Sequence, residues 1–312
     1  MISIVICVYT TERLKDIHEA VNSVFSQTLK PHEVILAVDH NEKLLDILKT
    51  ELPSQVKLVL NSGAPGLSET RNTGVRASTG EIVAFMDDDA VADIRWLEKL
   101  AERFRDPLVV AVGGKAVPRW LDGERPKWFP EELDWIVGCT YKGLPVRANA
   151  VRNVLGCNMA FRKAVLEQAV GFRGEVGRVG KFKGVGEEAD ICLKIKHLIP
   201  QALIHYEPEA VVFHKVPSWR VSLRYLAQRS YNEGFYKSIV KKLSSSSASE
   251  TLSTENTYLR YLLFTAIREK LRNFYRRGAI RQIGAILISV ASTGLGYLLG
   301  EINWRQTRTG SL

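Results

Sequence analysis

The first hundred residues alternate between two hydrophobic periods. Ser3-Ile4-Val5-Ile6-Cys7-Val8-Tyr9 is a short β-branched run of the kind buried on both faces of a sheet. After the polar turn Thr10-Thr11-Glu12-Arg13, the residues Leu14, Ile17, Val21, Val24 and Phe25 recur at helical spacing. Pro31 closes that connection, and Glu33-Val34-Ile35-Leu36-Ala37-Val38 predicts a second strand ending at Asp39. A helix around Leu44 to Leu48 leads to a third strand, Val56-Lys57-Leu58-Val59-Leu60. Strand–helix–strand units of this length imply a parallel sheet with right-handed crossovers. A fourth apolar run, Ile82-Val83-Ala84-Phe85, stops abruptly at three adjacent carboxylates, Asp87-Asp88-Asp89.

Further along, Trp96 to Phe104 predicts an amphipathic helix, and Val109 to Gly114 another strand. Pro118 to Pro145 holds four prolines and three tryptophans, Trp120, Trp128 and Trp135, and reads as irregular. Its rings would serve either as a stacking platform for a ligand or as plugs over a sheet edge. The glycine-rich stretch from Phe172 to Gly186 predicts a loop that closes over substrate. Glu187 and Glu188 then open a helix carrying Ile191, Ile195 and Leu198, and Ala210 to Lys215 is a strand with His214 near its end.

Charge divides the chain. Residues 1–214 carry 27 Lys and Arg against 29 Asp and Glu, whereas 215–312 carry 16 against 5. The net +9 of the whole chain therefore belongs to the C-terminal third, which implies an anionic partner there. That third reads as a basic helix over 217–243, a Ser/Thr-rich linker over 244–256, and helices over 257–312. Tyr258 to Arg277 is amphipathic, with Arg260, Arg268, Lys270 and Arg272 off its apolar face. Ile283 to Gly300 has no charge and is flanked by Arg276, Arg277 and Arg281, at the lower limit for crossing a bilayer. Its four glycines favour a shallow or re-entrant embedding over a span, and the basic flank would keep the chain's bulk cytoplasmic. Such an uncharged segment fits lipid better than nucleic acid. The four cysteines show no metal-type spacing and read as buried thiols.

Three consecutive carboxylates repel one another and are expensive to desolvate, and a divalent cation with oxygen ligands is the usual neutraliser. In a parallel α/β sheet ligands bind beyond the carboxyl ends of the strands, which is where Asp87 to Asp89 would lie. Gly63 to Gly74 permits a tight loop in which Ser68 caps a helix carrying Arg71, a residue able to fork onto phosphate or nucleobase. Glu187 and Glu188 would be stabilised at a helix N-terminus, either as simple caps or as catalytic acids.

Val5-Ile6-Cys7-Val8-Tyr9, Val38-Asp39, Arg71-Asn72-Thr73-Gly74 and Asp87-Asp88-Asp89, in that order, resemble family 2 glycosyltransferases of the GT-A fold over about residues 1–215. Those enzymes invert the sugar and use a nucleotide-diphosphate sugar with a divalent metal. Two departures stand out: Thr10 where the family has Asn, and Asp39-His40-Asn41 where many members carry two aspartates and a glycine. The resemblance implies that Val8 and Tyr9 line the base and ribose pocket, that Asp39 accepts from the uracil ring, and that Arg71 lies near the nucleotide. It assigns Asp87 and Asp88 to the donor, Asp87 and Asp89 to Mn2+ or Mg2+ with His214 as a further contact, and Asn158 to a sugar hydroxyl. Glu188 falls where the family's general base stands, with Glu187 as alternate.

The expected protein is α/β: a GT-A nucleotide-diphospho-sugar transferase over 1–216, with a mostly parallel Rossmann-like sheet and a basic helical C-terminal region that associates with membrane. Its expected reaction moves a sugar from a UDP-sugar onto a polyprenyl- or dolichyl-phosphate-linked glycan at the cytoplasmic face of the cell membrane. Glucuronosyl transfer is one form of that reaction. Direct transfer onto the lipid phosphate, and a non-catalytic nucleotide-binding module tethered to membrane or RNA, are the alternatives.

Overall fold

The structure, a computed structural model, describes residues 1–174, 178–179, 182–183, 186–243, 252–275 and 278–309. The chain forms two compact units. The first comprises Met1–Val117, Pro145–Lys183 and Glu187–His214; the second comprises Pro118–Leu144, Gly184–Gly186 and Lys215–Leu312.

In the first unit β1 (Ile2–Val8), α1 (Leu14–Phe25), β2 (Glu33–Asp39), α2 (Glu42–Glu51), β3 (Val56–Asn61), α3 (Leu67–Ala77) and β4 (Ile82–Asp87) follow the predicted alternation. Then come β5 (Ala90–Ala92), α4 (Trp96–Arg103), β6 (Val109–Trp120), β7 (Asn149–Ala150), β8 (Asn158–Arg162) and α5 (Lys163–Gln168). β9 (Arg178–Val179) and β10 (Phe182–Lys183) form a small separate pair before α6 (Glu187–Leu198) and β11 (Leu203–Val216).

The sheet runs β3-β2-β1-β4-β8-β6-β11-β5, with β7 beside β11. β1, β2, β3 and β4 pair in parallel. Beyond β4 the registered pairs are antiparallel: β4 with β8, β6 with β8, and β11 with β5 and β7. The expected parallel sheet thus holds for four strands, and an antiparallel half completes it. β1 is central because Ile4, Val5 and Ile6 are fully buried and admit a layer on each face. One face packs Val5, Ile35, Val83, Phe85, Phe161 and Ile191 into a shared core, with Phe85 and Phe172 edge-to-face at 5.5 Å.

The second unit joins the irregular segment after β6 to the C-terminal helices. A 3-10 turn spans Glu131–Val137, and α7 spans Leu223–Leu243. The predicted Tyr258–Arg277 helix is present as Ser253–Arg260, one π-helical stretch Tyr261–Ala266, and Ile267–Arg272. A last helix covers Ala279–Thr309. Inside this unit the three tryptophans are used for packing. Trp120 and Trp128 stand edge-on to fully buried Phe129, and the Trp135 indole donates to Tyr258 Oη at 3.2 Å. The fork of Arg125 on Asp134, at 2.6 and 2.7 Å, pins the same segment. Most of the glycine-rich loop (175–177, 180–181 and 184–185) and much of the Ser/Thr-rich linker (244–251) lie outside the described residues.

Candidate active site

All of the predicted acidic residues converge at the carboxyl edge of the parallel strands. β4 carries the chain straight from buried Met86 into Asp87, and the short β5 that follows sets up the metal-type cluster. In the antiparallel register of β5 with β11, His214 stands opposite Ala90, directly after Asp89. A residue more than a hundred positions away is thereby seated beside the aspartates. His214 Nε2 lies 3.2 Å from Asp89 Oδ1 and 4.0 Å from Asp87 Oδ2. One ligand atom from each of Asp87, Asp89 and His214 falls within 4.8 Å of the others. Asp89 and His214 are buried while Asp87 is half-exposed, so the cluster is walled on one side and open on the other.

Two carboxylates and one imidazole suit Mg2+ or, better, Mn2+. The immediate surroundings fit such an ion. Asp88 is buried, and its Oδ2 has no hydrogen-bond partner. Burial, with Asp89 and Asp87 adding repulsion, pushes the Asp88 carboxyl up to about 7, against the pull of Arg13. Such a group signals positive charge in short supply.

Arg13, which belongs to none of the sequence motifs, joins the site. Its Nη1 lies 2.5 Å from Asp88 Oδ1 and 3.2 Å from Asp89 Oδ2, and its guanidinium sits 5.4 Å above the Tyr9 ring. A signal for it existed. The β1–α1 loop emerges at the same sheet edge as the aspartates, and Arg13 is the cation in that loop.

The second acidic pair faces the first across Arg71. This arginine, 2% exposed, donates from Nη1 to Glu187 Oε1 at 3.1 Å and from Nη2 to the Gly156 carbonyl at 3.3 Å. It lies 3.9 Å from both Glu188 Oε1 and Asp87 Oδ1 and packs 5.5 Å from the Phe172 ring centroid. Arg71 therefore bridges the two acidic clusters. Within the pair, Glu187 is 6% exposed at its side chain and tied, while Glu188 is 21% exposed and looser. Burial first, then the neighbouring Glu187, raises the Glu188 carboxyl to about 7. Gly156 makes room for it: a Cβ there would overlap the Glu188 carboxylate.

Of the two residues expected to line a base and ribose pocket, Val8 is buried and Tyr9 is 54% exposed. Asp39 accepts from the Gly66 amide at 3.0 Å and from Asn61 Nδ2 at 3.0 Å, so it also fixes the loop that opens α3. Asn158 is placed differently from its expected role. It is fully buried; its Oδ1 accepts from the Trp96 indole at 2.7 Å, and its Nδ2 donates to the carbonyls of Lys115 and Ala210. Three of its four hydrogen-bonding positions are taken within the fold, so it is a strut between strands and has no face toward a sugar.

A model of glycosyl transferase family 2 matches residues 3–169. The glucosyl-dolichyl phosphate glucuronosyltransferase of Haloferax volcanii is 32% identical over 305 residues, covering 96% of each chain. The succinoglycan biosynthesis protein ExoM of Rhizobium meliloti is 29% identical over 192 residues, 61% of this chain and 58% of its own. In fold, the mannosyltransferase PcManGT from Pyrobaculum calidifontis, solved with GDP-Man and Mn2+, superposes with a TM-score of 0.59 over 95% of this chain and 86% of that one, at 16% identity.

Proposed function

We propose, for a chain that belongs to glycosyl transferase family 2, that it moves a sugar from a UDP-sugar, with inversion, onto a dolichyl- or polyprenyl-phosphate-linked glycan at the cytoplasmic face of the membrane. The observation that carries this reading is the pair of acidic clusters joined by Arg71. The first brings together three side chains able to hold a metal ion beside a diphosphate, and the second supplies two carboxylates from which a base would come. The lipid-linked acceptor is supported by the Haloferax volcanii relative, whose name specifies a glucosyl-dolichyl phosphate and whose similarity runs through the C-terminal third as well.

Asp87, Asp89 and His214 would hold Mn2+ or Mg2+. The chemistry such an ion supplies when bound is neutralisation of the diphosphate leaving group as the glycosidic bond breaks. The rest is work for the side chains. Tyr9 offers a ring face to the base, Asp39 an acceptor to the uracil N–H, and Arg13 holds Asp88 and Asp89 in register. Glu188 takes the proton of the acceptor hydroxyl as that oxygen attacks the anomeric carbon opposite the leaving group, and a single displacement inverts the centre. A base with a carboxyl near 7 is matched to that task at neutral pH. Glu187, held by Arg71, keeps its neighbour's environment negative and fixed.

Glu188→Gln is the direct test. It should retain UDP-sugar binding and lose transfer by about 10²–10⁴-fold. If Glu187→Gln does this and Glu188→Gln does not, the base is Glu187. Mass spectrometry of the product from free polyprenyl phosphate and from its glycosylated form separates direct lipid transfer from glycan extension.

A further inference from the structure

The last helix, Ala279–Thr309, has two unlike faces. Over Ala279–Ile302 it is long and apolar enough to cross a bilayer, with a mean hydropathy of 1.7. One side is packed against α7. The hydroxyls of Ser230 and Ser289 meet at 2.9 Å, Lys241 Nζ donates to Tyr297 Oη at 2.9 Å, and Lys242 Nζ donates to the Gly300 carbonyl at 3.1 Å. Glycines bring the backbones together. A Cβ at Gly234 would overlap the Thr293 carbonyl, and one at Gly296 the Tyr231 carbonyl. The contacting positions rise together in both helices, so the two run parallel through residues 289–301.

On the opposite side Ile280, Leu287, Ile288, Leu295, Leu298 and Ile302 are 38% to 72% exposed. Their spacing is helical and places them on one stripe, and no charged residue interrupts it between Gln282 and Gly300.

The partner helix decides what this stripe can do. Along the same stretch α7 carries Arg229 paired with Glu233 at 2.9 Å, Lys237 paired with Glu255 at 2.8 Å, and Lys242 beside Glu301 at 3.6 Å. From Arg229 to Lys242 a helix advances about 20 Å, roughly two-thirds of the hydrocarbon thickness of a bilayer. If the last helix stood upright across the membrane, it would draw this ion-paired ladder to hydrocarbon depth, where charged side chains are strongly disfavoured.

We infer that the Ala279–Thr309 helix lies in the plane of the membrane surface, its apolar stripe in the headgroup–acyl boundary and α7 on its watery side. Amphipathic helices of this length with basic flanks bind bilayers in this way. Arg281 at its start and the same unit's exposed Phe264, Leu271 and Phe274, interleaved with Arg268 and Arg272, supply further apolar and cationic contacts for an anionic lipid surface. The inference rests on the lipid-linked acceptor reading only in choosing lipid as the occupant.

Topology tests it. Arg281→Cys and Thr309→Cys would be introduced separately into the full chain, with the parent as background, and labelled with a membrane-impermeant maleimide in intact cells and in inverted vesicles. An in-plane helix gives labelling of both positions in inverted vesicles only. Labelling of Thr309→Cys from the outside of intact cells would establish a span and overturn the inference. In a second measurement, the double variant Leu295→Asp/Leu298→Asp should float at least tenfold less with vesicles containing one-third anionic phospholipid; unchanged flotation would overturn it too. Transfer to a lipid-linked acceptor, assayed on the same preparations, separates the two readings. Correct topology without such transfer removes the acceptor assignment and leaves the helix where it is placed here.

Discussion

Arg71 is the counter-charge to three carboxylates and Arg13 to two, and their loss should be felt in different ways. Arg71 touches the proposed base pair, Glu187 and Glu188, and Asp87 of the proposed metal site at once. Arg71→Met should therefore lower kcat by about a hundredfold or more while UDP binding changes far less, because a misplaced catalytic group loses about that much. Arg71→Lys should recover part of it; an equal loss in Kd and kcat would mean that Arg71 serves the nucleotide instead. Arg13 compensates Asp88 and Asp89, both nearly buried. Arg13→Ala should destabilise the fold by about 3 kcal/mol, as removal of one partner from a buried ion pair does, read by thermal unfolding. A change under about 1 kcal/mol would place the aspartates in better contact with water than their burial indicates. The raised Glu188 carboxyl sets the pH dependence. A base must be unprotonated, so kcat should rise about tenfold per unit below pH 7 and level off above it. In stability the sign is reversed. A carboxyl raised in the fold favours the protonated folded state, and that contribution, full below the ordinary carboxylate range, is lost as pH rises through about 7. A flat kcat profile between pH 5.5 and 8 would remove Glu188 as base.

Elements decide which residues can meet. The parallel half of the sheet was legible because each of its strands is a continuous apolar run followed by a periodic helix, as in Val5 to Val8 and then Leu14 to Phe25. The antiparallel half was not. β11 reads locally as a strand and β8 gives no such signal, but nothing in the composition of either states direction or neighbour, and sequence-distant pairing alone puts His214 beside Asp89. The same blindness explains Asn158. The family resemblance gives it a sugar hydroxyl to read, and nothing in the sequence shows that Trp96, Lys115 and Ala210 converge on it. Asn158→Ala should accordingly cost stability, about 2–4 kcal/mol for one indole N–H and two carbonyls left without a buried partner, with KM for the donor little altered in the folded fraction. A raised KM at unchanged melting temperature would restore the hydroxyl-reading role. Gly156 was likewise invisible, since its meaning lies in what faces it: an alanine there meets the Glu188 carboxylate.

At the scale of the whole molecule, the split of charge at about residue 214 already separated a near-neutral catalytic part from a strongly basic one. What composition could not show is that two helices of the basic part are closely fitted to each other. Ser230, Gly234 and Ser238 of α7 are fitted to Ser289, Thr293 and Gly300 of the last helix. Deleting residues 257–312 would thus uncover the inner face of α7, and the expected outcome is aggregation or proteolysis of the truncated chain in place of a clean shift to the soluble fraction. Limited proteolysis of the truncation against the full chain reads this directly; a protease-resistant, monomeric truncation would show that α7 stands without its partner.

Asp87, Asp89 and His214 are proposed to form a metal site that binds the nucleotide of a sugar donor. The measurement that meets this proposal most directly is calorimetric titration of the purified protein with UDP, with and without Mn2+, beside the Asp89→Ala variant. Mn2+ should tighten UDP binding by about tenfold or more, the 1.4 kcal/mol that a single good charge contact readily supplies, and Asp89→Ala should abolish this gain. UDP binding of equal strength with and without Mn2+, or an Asp89→Ala variant that keeps the full metal effect, would contradict it.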